Sequence, residues 1–156
     1  MGRFAVAIVG SLVLTAAPLA ALEPSAIAAL LGAGASADAP DRFGRTPLVL
    51  AVRSGRNDVV ELVIAAGAKV DTRDASGRTP LILAARQGSA AVVRALIAAS
   101  AQLDLTDKLG RTALIWAAIH NQPEIIAALV EAGADASITD RLGDTALTRA
   151  LPRVRG

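Results

Sequence analysis

The chain has 156 residues, room for one domain of ordinary size, and 53% of them are hydrophobic while only 2% are aromatic. Its core must therefore be built from Ala, Val, Leu and Ile, which bury little area each and need close, regular packing. A net charge of +2 is too mild to mark a nucleic-acid binder, and the lack of cysteine excludes disulfides, thiolate metal sites and cysteine nucleophiles.

The first element is a leader. "MGRFAVAIVGSLVLTAAPLAAL" opens with Arg3, runs apolar from Phe4 and turns small and proline-containing at Ala16-Ala17-Pro18. That is the order of a secretory signal peptide, expected over residues 1–21 with a cut after Ala20 or Ala21. An uncleaved membrane anchor is the alternative, since an apolar stretch of this length reaches across a bilayer. A buried first helix is a third.

After the leader, four rows align without a gap: "DRFGRTPLVLAVRSG", "DASGRTPLILAARQG", "DKLGRTALIWAAIHN" and "DRLGDTALTRALPRV". Their glycines stand at 44, 77, 110 and 143, thirty-three residues apart. The half-rows that follow also align, starting at Val59, Val92 and Ile125, and "AIAALLGAGASADAPD" from Ala26 fits them upstream. Such a register is the mark of a repeat array.

Each row predicts a helical hairpin. Thr79 is an N-cap and Pro80 a first helical residue, where its missing amide costs nothing. Leu81, Ile82, Ala84 and Ala85 give about two turns that end near Gly88. The second helix is expected to open at Asn57-Asp58, Ser89 or Gln122-Pro123-Glu124. In the first row Val60, Val63 and Ile64 put its apolar face inward. Gly67-Ala68 and Gly133-Ala134 end it, with Ser100 in the same slot. Connectors such as "KVDTRDASG" read as turns, with short strand-like hairpins at the junctions. Two short helices bury little alone, so the rows must stack into a solenoid.

These rows resemble the ankyrin repeat. The resemblance rests on Asp41, Gly44, Arg45, Thr46, Pro47 and Leu48, on Asp74, Gly77, Arg78, Thr79, Pro80 and Leu81, and on Asp107, Gly110, Arg111, Thr112 and Leu114. It implies an all-α solenoid of three full repeats, 42–74, 75–107 and 108–140, between a half-repeat at 24–41 and another at 141–156. The family's usual histidine after Thr-Pro-Leu is replaced by Val49, Ile82 and Ile115, so one bond between neighbouring repeats is missing. Thr148 and Arg149 occupy slots that are apolar upstream, as a terminal cap requires.

His120 is the only histidine and has no nucleophile or second base in any recognisable motif, so an enzyme built on it is disfavoured. Trp116 shares its slot with Leu50 and Leu83 and is expected in the core. No metal-ligand spacing or phosphate loop occurs, and no cofactor is expected. By resemblance to the family, partners contact the turn tips and the inner face of the first helices. Those slots hold Arg42, Phe43, Arg45, Arg53, Arg78, Arg86, Gln87, Lys108, Leu109, Arg111, His120, Arg141 and Leu142. The far side carries Asp38, Asp71, Asp104, Glu61, Glu131 and Asp135. The expectation is a non-catalytic, monomeric, periplasmic or secreted adaptor for a protein with an acidic surface. It binds no nucleic acid, and no membrane once the leader is cleaved. A membrane-tethered scaffold is the alternative.

Overall fold

The computed structural model describes residues 23–151. The expected leader and its cleavage position lie outside them. Eight helices follow in chain order: α1 (Pro24–Gly32), α2 (Pro47–Arg53), α3 (Asn57–Ala65), α4 (Pro80–Gln87), α5 (Ala90–Ala98), α6 (Ala113–Ile119), α7 (Pro123–Glu131) and α8 (Ala146–Ala150). Three antiparallel pairs, α2/α3, α4/α5 and α6/α7, stack between a lone α1 and a lone α8. The short first helices α2, α4, α6 and α8 form one layer, and α1, α3, α5 and α7 form the other.

The first helix of every row begins the same way. The hydroxyls of Thr46, Thr79, Thr112 and Thr145 accept from the amides of Val49, Ile82, Ile115 and Thr148, which satisfies one orphan donor of each first turn. Leu48, Leu81 and Leu114 then point between neighbouring rows and are at most 3% exposed. Burial of each is worth about 2 kcal/mol. Ala51, Ala84 and Ala117 are fully buried in the same layer, and their small side chains let successive helices approach closely.

The second helices begin where expected, but without side-chain caps. Arg56, Ser89 and Gln122 precede them, and none makes a side-chain cap bond. Their backbones are already committed, because their amides close the preceding helix onto Ala51, Ala84 and Ala117. One residue thus ends one helix and starts the next, which fixes the hairpin without a cap.

At the junctions the described residues hold tight turns and no strands. Asp74 N donates to Arg78 O and Gly77 N to Asp74 O. Neighbouring tips are tied by backbone bonds, Lys108 N to Ser76 O at 3.1 Å and Arg141 N to Leu109 O at 3.0 Å. Gly110 shows how close they come: a Cβ there would lie 3.1 Å from Arg141 N.

Three of the acids assigned to the far side prove to be joints. Asp38, Asp71 and Asp104 each accept from a backbone amide of the following row, those of Lys69, Gln102 and Asp135, at 2.7, 3.0 and 2.9 Å. These bonds couple each repeat to the next, at positions the missing family histidine does not occupy.

Candidate functional site

The tips are built on four aspartates. Oδ1 of Asp41 accepts from the amides of Phe43 and Arg45, and Asp74, Asp107 and Asp140 repeat that pattern two and four residues on. The second oxygen takes a side-chain donor, and this donor changes along the stack. It is Arg45 Nε for Asp41 at 2.8 Å and Arg78 Nε for Asp74 at 3.1 Å. It becomes Trp116 Nε1 for Asp107 at 2.8 Å and Arg149 for Asp140. Burial opposes ionisation of Asp140. The hydrogen bonds from Arg149 and from the Leu142 and Asp144 amides outweigh it and hold the carboxyl below the usual aspartate range. Asp41 is lowered by the same balance, with Arg45 as its partner.

With these carboxylates consumed, the groups that reach solvent are mostly cationic or apolar. Phe43 is 58% exposed, with the guanidinium carbons of Arg42 and Arg45 each 4.7 Å from its ring centroid. Leu109 and Leu142 are exposed at the equivalent position of later tips, beside the exposed Lys108 and Arg141. On the first helices Arg53 and Arg86 are exposed, and Arg53 lies 4.0 Å from Asp74 Oδ2. Gln87 is tied inward, its amide donating to the Arg53 carbonyl at 3.2 Å. Arg78 is held by Asp74 and Ser76, and Arg45 by Asp41, so these two serve their own turns first.

One cluster stands out. Trp116, expected in the core, is only half-buried. The guanidinium carbon of Arg111 lies 4.8 Å from its ring centroid and that of Arg86 5.3 Å. The exposed His120 stacks on the same indole, with centroids 5.7 Å apart and planes 10° from parallel. A single indole thus gathers two arginines and the only histidine. Arg149 also departs from expectation. Its guanidinium does not simply solvate the end of the stack, since its side chain is 12% exposed and paired with Asp140 and Asp144. Leu147, by contrast, is 69% exposed where its counterparts in earlier rows are buried.

Ankyrin repeats match this chain in three overlapping copies, over residues 16–107, 58–140 and 92–153. The chain belongs to the ankyrin-repeat family. Ankyrin repeats in general mediate protein–protein interaction and are typically non-catalytic. No individual curated protein matches the chain.

Among the described residues the His120 imidazole has no hydrogen-bond partner, and no group of three or more His, Asp or Glu side chains is placed to hold a metal ion. No helix among them is long and apolar enough to cross a membrane. Sequence reasoning missed the pivot at Trp116, Arg149 and the Asp38–Asp71–Asp104 ladder. The ladder did carry a signal, since its members stand at the same interval as the glycines.

Proposed function

We propose that this ankyrin-repeat protein is an exported adaptor that docks an acidic partner protein on its concave basic face and turn tips, without chemistry. The observation that carries the reading is the fate of the charges. The four repeated tip aspartates, Asp41, Asp74, Asp107 and Asp140, are taken up by donors of their own rows, whereas Arg42, Arg86, Lys108 and Arg141 form no ion pair among the described residues. Those cations and the apolar tips Phe43, Leu109 and Leu142 make a surface suited to complementary charge with hydrophobic anchors.

The test is charge reversal. Arg53→Glu with Arg86→Glu should abolish salt-sensitive capture of an acidic partner while the protein stays folded by circular dichroism. Capture that survives both reversals rejects the docking face.

Export rests on the leader. Retention as an anchor or as part of the stack is the second reading, favoured by the family match reaching back to residue 16. Mass spectrometry of the mature protein separates them. A start near Leu22 rejects retention, and an intact N-terminus rejects cleavage.

A further inference from the structure

We infer that Trp116, with Arg86 and Arg111 over its ring, is the point on the concave face that receives a carboxylate side chain from an extended acidic segment of the partner. This rests on the docking reading above and names where its binding energy is concentrated.

The argument starts from the acceptor at each tip. In the first two full rows the tip arginine donates Nε to its own aspartate, at 2.8 Å in one and 3.1 Å in the other. In the third row the indole N–H takes that oxygen, and the arginine is displaced. Arg111 Nε is buried with no hydrogen bond, and the carboxylate oxygen of Asp140 near it stands 3.6 Å away, beyond bonding reach. That oxygen already accepts from Arg149. Arg111 therefore sits between two aspartates that other donors have claimed.

Arg86 arrives over the same ring from the preceding row, and no carboxylate among the described residues pairs with it. Two guanidiniums sharing one indole repel each other, and each presents a planar fork of N–H donors. A carboxylate that docks beside the ring accepts from the exposed Arg86 and lies in the field of Arg111. Contact with the ring already restricts both arginines, so little side-chain freedom remains to be lost on binding. Tryptophan and arginine are also the side chains in which interface energy concentrates. The cluster is open to solvent at Arg86 and His120, so a lone anion gains few contacts there. A chain that continues toward Arg53 gains more.

Trp116 is the only tryptophan and the chain has no tyrosine, so intrinsic fluorescence reports this site alone. The full-length protein is titrated with a labelled glutamate-rich peptide. Indole emission and peptide anisotropy are followed together, with a glutamine-rich peptide and inorganic phosphate as comparators. The two signals should saturate together. Arg86→Gln and Trp116→Leu (which returns Arg111 to Asp107) should each weaken anisotropy-detected binding about tenfold. Arg94→Gln, on the outer layer, should bind as wild type, and circular dichroism should show all variants folded. Binding by anisotropy with silent emission and unaffected Arg86→Gln and Trp116→Leu overturns the inference and leaves the docking face standing. A response to phosphate that equals or exceeds the response to peptide overturns it in favour of a free-anion site. No binding of the glutamate peptide overturns both.

Discussion

The second and third repeats share a turn, a threonine cap and nearly the same helix lengths, yet they settle one buried aspartate in different ways. In the second, Arg78 serves Asp74 and Leu83 is an ordinary apolar contact. In the third, Trp116 fills the leucine slot and serves Asp107 itself, and Arg111 stands 3.6 Å from Asp140 instead. The requirement is constant, because a buried carboxylate left short of donors costs a few kcal/mol. What varies is the donor. A single exchange in a core slot therefore decides whether the neighbouring arginine bonds the aspartate of its own turn or stands beside that of the next. The terminal row completes the logic: Asp144 stands where the arginine was, and Arg149 supplies the missing donor from the tryptophan slot.

The largest effect is expected from breaking that terminal solution. Arg149→Leu restores the apolar residue of the second repeat but removes the donor bonded to Asp140, with Arg111 left 3.6 Å away. It should cost about 3 kcal/mol, as removal of one partner from a buried pair does, measured by urea unfolding at neutral pH. The pH dependence carries the sign. Asp140 has a lowered carboxyl pKa in the folded protein, so its contribution is present above the unfolded value of about 4 and is lost as pH falls through the folded value. Arg149→Leu should flatten that acid limb. An unchanged limb would reject the pairing as its source.

Converting the third repeat into the second comes next. Trp116→Ala should cost about 3 kcal/mol, since it removes both a large apolar contact and the donor to Asp107. Trp116→Leu should cost under about 1 kcal/mol, because leucine fits this slot in two other rows and Arg111 is at hand to take the acceptor back. Equal losses for the two variants would show that Arg111 does not return. Thermal denaturation followed by circular dichroism decides between these outcomes.

Much of this was legible before any coordinates. Thr46, Thr79, Thr112 and Thr145 read as caps because a hydroxyl before an apolar run has few other uses, and all four cap. The repeat interval gave the stack. The opening of the second helices at Asn57, Ser89 and Pro123 was legible too, but not that the Ser89 amide also closes the preceding helix. Trp116 was misread because its neighbours in register are leucines, and register says nothing of an indole N–H reaching a carboxylate nine residues back. Arg45 and Arg78 were grouped with Arg86 as cations of one stripe. Only geometry separates those spent on a turn from the one left unpaired.

The smallest effects concern how the two repeats end their helices, where they exchange strengths. The second repeat closes its first helix with Gly88, at φ 81°, but its second with Ser100, at φ 63°. The third does the reverse, with Asn121 at φ 51° and Gly133 at φ 96°. A left-handed backbone costs a side-chain-bearing residue about 1–2 kcal/mol, and asparagine less than serine. Glycine removes that strain but gives the unfolded chain more freedom, which takes back about half of the gain. Ser100→Gly should therefore stabilise by about 0.5 kcal/mol and Asn121→Gly by less, read as a shift of the urea midpoint at constant slope. A loss on Ser100→Gly would mean that the serine side chain contributes more at that turn than its backbone strain removes.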